Sequence, residues 1–329
     1  MVKYVILKTI SNDMGSILFL YTYGRYISEL TGKKIYMDFS EDEDNRMIQE
    51  AENDHCLLKF NINLMGGKIL LKSDKNIGRL LNLKYKVTKK LACILSSESN
   101  YQKAVSKFAK GKIGKLLHKM GIVLNFEVSV IEEYYKEEIK GNMLVKGYFQ
   151  TPYFAEKIRD ILLKEITLKN ISDQMIIAEE LITRPNSVAV YIQCKKDALT
   201  GEYICNNDYY IRSIKRMIEI LGNDLTFYIF SNNFEYVKGF LEALKYNIVF
   251  VEWDLKEYEE LILMSKCRHF ILSNNSLSWW GQFLSQNKNK IVISPSNLFT
   301  NDQYKSSILC NDWITMESRA LIKSTQEII

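Results

Sequence analysis

The sequence is poor in the residues that build metal centres and disulfide scaffolds. It has six cysteines without a Cys-x-x-Cys pair, and its three histidines, His55, His118 and His269, lie far apart. This spacing does not fit a zinc pattern or a compact disulfide framework. A reduced, cytosolic setting is the simpler interpretation of such scattered cysteines.

Long apolar runs and chain-breaking residues are also scarce. Three prolines and fifteen glycines in 329 residues argue against a long linker, and no stretch approaches the roughly 18 apolar residues of a membrane-spanning helix. The first residues, MVKYVILKTISND, have no small-residue cleavage site, so we expect a buried strand there and not a signal peptide. The chain is long for one core and suits two domains.

Acidic residues are nearly missing from one block. Residues 68–119 hold fourteen Lys or Arg against two acids, so the net charge of this block is +12. The whole chain has a net charge of +5, so the remainder has −7. A nucleic-acid surface, a membrane-surface patch and a solvated face all fit such a block. Interleaved leucines and isoleucines favour helices on anionic lipid, slightly ahead of the solvated face. Few aromatic residues are available for base stacking, so we expect no nucleic acid as a partner.

Secondary-structure signals at the start of the chain predict a parallel βαβ unit. Apolar, β-rich runs at residues 3–10 and 35–39 flank a segment with helical spacing at 15–30. Between residues 45 and 145 we expect several helices.

The second half of the chain alternates more clearly between strands and helices. Strands are predicted at residues 187–192, 225–230, 248–251, 269–272 and 290–293, and helices at 208–221, 234–244, 258–265 and 277–285. This pattern is typical of a doubly wound parallel sheet, which binds ligands beyond the carboxyl ends of its strands. The loops expected there are residues 193–197, 231–233 and 273–278.

Polar and charged segments of the chain have both a structural and a functional interpretation. Ser273 to Ser278 could cap the next helix, or could present backbone amides to a diphosphate. Lys195 and Lys196 could neutralise phosphate charge or lie in a solvated turn. The acidic run Glu41 to Asp44 could hold a divalent cation, but its density of acids favours an exposed loop.

Several segments, in the same order, resemble glycosyltransferase family 11, the bacterial α-1,2-fucosyltransferases. Residues 264–281, MSKCRHFILSNNSLSWWG, are similar to the family's MSLCKHNIIANSTFSWWG, and residues 12–25 resemble its opening GGLGNQMFQYAFGR. The sequence GYFQ at 147–150 also resembles a family segment. Further similarities are Cys205 with DYY at 208–210, and FSNN at 230–233 where the family has FSDD.

The resemblance implies an α/β, GT-B-like architecture of two Rossmann-like domains facing a cleft. We divide them as an acceptor-side domain, residues 1–165, with a basic helical insertion at about 68–119, and a nucleotide-sugar-binding domain, residues 166–329. The implied activity is inverting transfer of fucose from GDP-fucose, in α-1,2 linkage, to a galactose-type acceptor in O-antigen or capsule synthesis. The implied enzyme needs no metal or other cofactor.

The implied partners are a nucleotide sugar, a glycan or lipid-linked oligosaccharide acceptor, and an anionic membrane contacted peripherally through 68–119. The protein would then be cytoplasmic or peripheral on the inner face of the cytoplasmic membrane. Two alternatives are a non-catalytic binding protein at the membrane and a glycosyltransferase that uses another nucleotide sugar.

The resemblance also assigns residues to the site. The donor-binding positions are Gln193, Lys195, Lys196, Ser231, Asn232, Asn274, Asn275, Ser276 and Ser278. The acceptor-side positions are Asn12, Gly15 and Ser16. Asp13 and Asp197 are candidates for the catalytic base by position alone.

One position departs from the family pattern in a way that bears on the donor. Gln193 stands where the family's HxRRGD motif has its first arginine, which holds the β-phosphate of GDP. Losing that cation should cost on the order of 3 kcal/mol of transition-state stabilisation without compensation. Lys195, Lys196 or Arg268 could compensate.

Overall fold

The chain folds into two compact units, Met1–Lys169 and Asn170–Ile329, where the sequence prediction placed the division after residue 165. The computed structural model describes residues 3–11, 13–40, 56–71, 74, 77–96, 100–109, 111–126, 140–194, 205–296 and 308–318. Each unit contains one parallel sheet with helices in its crossovers, so the α/β class with two Rossmann-like units is confirmed.

The first unit begins with the predicted βαβ arrangement. Strands β1 (Tyr4–Lys8) and β2 (Lys34–Asp38) pair in parallel, and helix α1 (Met14–Thr31) joins them. The elements that follow are a 3-10 turn (Cys56–Lys59), β3 (Lys68–Leu70), α2 (Arg79–Ser96), α3 (Tyr101–Phe108), α4 (Gly111–Lys119), β4 (Ile122–Asn125), β5 (Met143–Gly147), α5 (Pro152–Lys157) and α6 (Arg159–Glu165). The strand order in the sheet is β3-β2-β1-β5-β4.

The helices predicted between residues 45 and 145 are confirmed as α2, α3 and α4, but three strands were missed there. The basic block begins with strand β3 and becomes helical only at Arg79, so the prediction of a helical insertion from about residue 68 was wrong at its start. β3 and β4 have three and four residues, and all five residues of β5 are buried. Runs this short show no periodicity, and pairing with neighbouring strands decides their conformation.

Helix α1 is held tightly against the sheet. Gly24 faces Leu7 of β1, where an added Cβ would lie 2.3 Å from the Leu7 side chain, so a larger residue would require that buried side chain to shift. The helix ends at Gly32, whose φ of 65° is left-handed and whose amide donates to Ser28.

The second unit contains helix α7 and a six-stranded sheet. Its elements are α7 (Asp173–Ile182), β6 (Ser187–Ile192), α8 (Asn207–Leu221), β7 (Thr226–Ser231), α9 (Phe234–Leu241), β8 (Asn247–Phe250), α10 (Glu257–Met264), β9 (His269–Ile271), α11 (Ser276–Leu284), β10 (Val292–Pro295) and β11 (Ile314–Met316). The five predicted strands are confirmed, with bounds shifted by about two residues at most. The edge strand β11 was missed.

The strand order of the second sheet, β11-β10-β9-β6-β7-β8, creates a switch point. From β6 the chain runs outward to β8, then returns to place β9 on the other side of β6. Open parallel sheets bind ligands beyond the strand ends at such a reversal. In the first sheet the equivalent reversal lies between β1 and β5. Among the described helices, none has the length and apolar content needed to cross a membrane.

Candidate active site

The loop Ser273–Ser278 leaves β9 at the switch point of the second sheet and leads into α11. Asn275 is the N-cap residue of α11, and its Oδ1 accepts a hydrogen bond from the amide of Ser278 at 2.9 Å. The Ser278 hydroxyl is fully buried, within hydrogen-bond distance of the carbonyls of Ser273 and Asn275. Ser278 therefore holds the shape of the loop, while the first turn of α11 directs its amide dipoles towards the edge of the sheet.

Residues of α8 and of the segment before it fix this loop from one side. The hydroxyl of Tyr209 donates to the carbonyl of Leu272 at 2.7 Å, and the Cys205 thiol lies 3.6 Å from Oδ1 of Asn274. Burial raises the pKa of Cys205 to about 12, so its sulfur stays protonated and can donate. The Cys…DYY segment and the SNNSLSWWG segment, far apart in sequence, are thus one structural assembly.

The two tryptophans of α11 anchor the loop from behind. Trp279 and Trp280 are almost completely buried, and the indole N–H of Trp279 donates to the carbonyl of Ile308 at 2.9 Å. Phe283 stacks on Trp279 with ring centroids 5.1 Å apart. These rings belong to the core, and their contribution to the site is to keep the start of α11 in place.

The ends of β6 and β7 are joined by the polar residues that the sequence assigned to donor binding. Oδ1 of Asn232 accepts from the amide of Cys194 at 2.8 Å, and the hydroxyl of Ser231 donates to the carbonyl of Ile192 at 2.8 Å. Gln193 lies between these contacts and is half-buried. These interactions shape the backbone at the strand ends, so they leave the assigned ligand roles as predictions.

Neutral groups dominate the described part of this edge. Gln193, Asn232 and the residues of the loop Ser273–Ser278 carry no formal charge. A neutral edge that faces a helix N-terminus suits an anion. Lys195, Lys196 and Asp197 lie outside the described residues, as does the acidic run 41–44. Over the described ranges no group of three or more His, Cys, Asp or Glu side chains could hold a metal ion.

The edge of the first sheet differs because a carboxylate caps its helix. Asp13 is exposed, and its Oδ2 accepts from the amide of Ser16 at 2.8 Å at the start of α1. Gly15 is buried beside it, and Asn12 lies outside the described residues. This places an acceptor of hydrogen bonds, not an anion site, at the switch point of the first sheet.

A contact that the sequence did not predict joins two family-like segments here. Nε2 of Gln150, at the end of GYFQ, donates to the hydroxyl of Ser16 at 2.9 Å. Gly147, at the start of that segment, has φ of 141°, and a Cβ there would lie 1.9 Å from the carbonyl oxygen of Asn125. The order of the two segments along the chain was the only sequence signal for this pairing.

Buried ion pairs lie in the core of the same unit. Nζ of Lys8 is 2.8 Å from Asp38, and Nε of Arg25 is 2.9 Å from Glu165. Tyr21 also donates to Glu165, and burial, with that carboxylate beside it, raises the pKa of Tyr21 well above its ordinary value. Removing one member of such a buried pair leaves an uncompensated charge and is strongly destabilising, and periodicity arguments do not reveal such pairs.

The sequence profile of glycosyl transferase family 11 matches residues 133–317, more than half of the chain. The chain belongs to this family. The match includes the whole described part of the second unit up to Glu317, with Gln193 and the loop Ser273–Ser278. The predicted resemblance is therefore confirmed, and glycosyltransferase activity is what the family supports. The roles assigned to individual residues stay predictions.

Two relatives from Escherichia coli are similar over part of their length. An alpha-1,2-colitosyltransferase is 30% identical over 202 residues, covering 56% of this chain and 68% of that protein. The O-antigen biosynthesis glycosyltransferase WbnK is 27% identical over 199 residues, covering 55% of this chain and 63% of that protein, which is less than two thirds. Among solved structures, the fucosyltransferase NodZ from Bradyrhizobium has a TM-score of 0.48 and 9% identity, over 86% of this chain and 94% of that chain.

Proposed function

We propose that this family 11 glycosyltransferase transfers fucose, or a closely related deoxysugar, from a GDP donor to a galactose-type acceptor. The transfer is in α-1,2 linkage, in the synthesis of a bacterial surface polysaccharide. The observation that carries the proposal is the family match across the second unit, whose switch point holds a capped helix N-terminus facing a neutral edge. The names of the two relatives support the linkage and the polysaccharide.

The donor would lie at the edge of the second sheet, with its diphosphate on the first turn of α11. In the reaction, an acceptor hydroxyl oxygen bonds to the anomeric carbon as the bond from that carbon to the diphosphate breaks. The leaving oxygen takes the bonding electron pair, and the hydroxyl proton passes to a base. Backbone amides that are oriented before the reaction stabilise such a leaving group without reorganising.

The base would come from a carboxylate, for which Asp13 and Asp197 are the candidates. Asp13 already has its Oδ2 engaged by the amide of Ser16, which fixes the orientation of the carboxylate. A metal is not part of this proposal, because helix dipoles and lysines would meet the charge of the diphosphate. Activity should then persist after dialysis against a chelator.

The transferred sugar of the donor has two candidates, fucose and colitose. One relative is a colitosyltransferase, and colitose differs from fucose by lacking one hydroxyl group, at C3. A site that hydrogen-bonds that hydroxyl would discriminate strongly against colitose, whereas an apolar site would not. We favour fucose, and the colitose donor is the second candidate because of this relative.

The test is acceptor-dependent release of GDP by the full chain. GDP-fucose is incubated with and without a β-galactoside, GDP release is measured, and the product linkage is determined by NMR. The proposal expects release only with both substrates and an α-1,2 product. Binding of GDP weaker than about millimolar, together with no turnover of GDP-fucose or GDP-colitose, would contradict it. A thermal-shift panel of GDP-, UDP-, dTDP- and CMP-sugars separates the alternative donors.

A non-catalytic binding protein is the remaining alternative, and Gln193 is the feature in its favour. If the wild type turns over no donor but Gln193→Arg restores activity, the chain has lost turnover by losing that cation. If the wild type is active, this alternative fails.

A further inference from the structure

Helix α2 carries an apolar stripe that faces solvent. Its buried residues, Leu81, Tyr85, Thr88 and Ala92, follow one helical face. A second set follows the same spacing on another face and is between 44% and 73% exposed: Leu80, Leu83, Val87, Leu91, Ile94 and Leu95. Six large apolar side chains in one exposed row on an 18-residue helix are more than the scattered apolar residues of an ordinary surface.

Helix α4 carries a second, shorter set of exposed apolar residues. Ile113, Leu116 and Met120 are exposed and fall on one face of α4 or just after its end. Nζ of Lys84 on α2 donates to the carbonyl of Met120 at 3.2 Å, so the end of α4 lies against α2. We call these exposed residues of α2 and α4 the apolar stripe.

Within the described helices α2 and α4, the charged residues beside the stripe are all cations. Arg79, Lys86 and Lys90 lie along one edge of it on α2, and all three are exposed. On α4 the exposed cations are Lys112, Lys115 and Lys119. Helices α2, α3 and α4 contain no Asp or Glu at all. A solvated face would need the lysines but not the exposed leucines and isoleucines between them.

Helix α7 provides a contrast within the same chain. It exposes Ile176, Ile177 and Leu181, but its charged residues are acidic, with Asp173 in its first turn. An exposed apolar face is therefore not unusual for this protein. The combination of an apolar stripe with cations alone is found on α2 and α4.

The charge pattern decides which partner fits. A two-fold dimer through the stripe would set its cations against themselves, because such an interface pairs a surface with its own copy. A nucleic acid would satisfy the cations but not the aliphatic residues, and Tyr85 of α2 is buried, so it is not available for stacking. An anionic lipid surface offers negative headgroups and hydrocarbon to the same helix.

We propose that the apolar stripe of α2 and α4 docks this chain on the surface of an anionic lipid bilayer. Its aliphatic side chains enter the boundary between headgroups and acyl chains, and the bordering lysines and Arg79 contact the headgroups. Binding should therefore require both anionic lipid and the aliphatic residues. It should weaken with salt, but the aliphatic contribution should remain.

Vesicle flotation of the full chain tests this. We expect at least about tenfold more protein on vesicles of phosphatidylcholine with phosphatidylglycerol than on phosphatidylcholine alone, at roughly 0.1 M salt, and a clear reduction at about 1 M. Lys86→Glu with Lys90→Glu should abolish the preference for anionic lipid. Leu83→Ser with Ile94→Ser should reduce binding about fivefold or more, because it removes two aliphatic side chains that would enter the bilayer. Both side chains are exposed, so the changes should not disturb the core.

The matched control is Ile176→Ser with Ile177→Ser on α7, which removes two exposed isoleucines in acidic surroundings. This variant should bind vesicles like the wild type. All variants should keep their thermal stability, and their GDP affinity should not change. Equal binding to neutral and anionic vesicles, or unchanged binding of the Leu83 and Ile94 variant, would overturn the proposal.

A second copy of the chain is the competing occupant. It would appear in sedimentation as self-association without lipid, and the α2 variants would lose this self-association. The α7 control would lose it too if the apolar stripe of one copy meets the exposed face of α7 in the other. That result would reject the lipid surface in favour of a contact between copies. A chain that stays monomeric and binds anionic vesicles supports the proposal.

Discussion

Each unit has a helix that begins at the switch point of its sheet, but the two helices have different N-cap residues. In the first unit the helix after the central strand is capped by Asp13, and in the second unit the helix at the switch point is capped by Asn275. A carboxylate at a helix N-terminus occupies the position where an anion would bind, whereas an amide side chain leaves it neutral. This difference supports the proposal that the second edge holds the diphosphate and the first edge the acceptor hydroxyl group and the base.

The largest expected effect comes from removing the carboxylate of the first edge. Asp13→Asn keeps the cap, because Asn and Asp are similarly good N-cap residues. If Asp13 is the base, kcat should fall by about 10²–10⁴-fold, while the affinity for GDP stays unchanged. The measurement is GDP release with saturating acceptor. A variant that retains wild-type kcat would leave Asp13 as a cap only, and Asp197 as the remaining candidate base.

The reciprocal change should damage the second edge. Asn275→Asp keeps the cap but puts a negative charge beside the expected diphosphate, so GDP affinity should fall between about tenfold and a hundredfold. Asn275→Ser is the matched control, since it caps without charge and should bind GDP nearly like the wild type. Calorimetric titration with GDP measures both. Equal GDP affinity of the Asp and Ser variants would show that the diphosphate does not lie at this helix.

Adding a cation to the second edge should have the opposite effect. Gln193→Arg should tighten GDP binding by about tenfold, because charge-assisted hydrogen bonds to phosphate are stronger than neutral ones. Gln193→Met, of similar length but without charge, is the control and should not improve binding. The same titration tests this, and no gain with arginine would place the diphosphate elsewhere or show that other cations already neutralise it.

The smallest effect concerns stability in the second unit. Burial, followed by the neighbouring Glu257, raises the pKa of Glu260 from 4.5 to about 7. The pKa of Glu260 is higher in the folded chain than in the unfolded chain, so protonation of this carboxyl group favours the folded state. That contribution to stability is complete below about pH 4.5 and is lost as the pH rises through 7. Glu260→Gln should therefore raise the free energy of unfolding by about 1 kcal/mol at pH 8, after allowing for solvent screening, and by less at pH 5.5.

Urea unfolding at the two pH values measures this difference. Glu235→Gln, which changes an exposed glutamate of the same unit, is the control and should leave the pH dependence as it is. If Glu260→Gln shows the wild-type pH dependence, the carboxyl group of Glu260 titrates near its ordinary value.

The second unit was more predictable from sequence than the first for a physical reason. The strand β6, SVAVYI, is buried along its whole length, so it forms a continuous apolar run that reads as a central parallel strand. The strands β3 and β4 are too short for such a signal, and neighbouring strands determine them. The edge strand β11 was missed because it has only three residues, Ile314–Met316, and none of them is fully buried.

The candidate site was predictable as loops but not as contacts. The strand-to-helix position gave Ser273–Ser278, because caps have local signatures, whereas Asp13 was named only as a candidate base by position and its capping role was not predicted. The bonds from Tyr209 to Leu272 and from Gln150 to Ser16 join residues far apart in the chain, and no local pattern encodes them. The stripe of α2 lies between these cases: its charge was evident in the sequence, but which apolar residues stay exposed depends on packing.

The central claim is that the second edge, and not the first, holds the donor diphosphate. Hydrogen exchange of the full chain, with and without saturating GDP, tests it at both edges in one experiment. The account predicts slower exchange at the amides of Ser276 and Leu277, with no change at Gly15 and Ser16. Protection at the start of α1 while the start of α11 exchanges as before would contradict it.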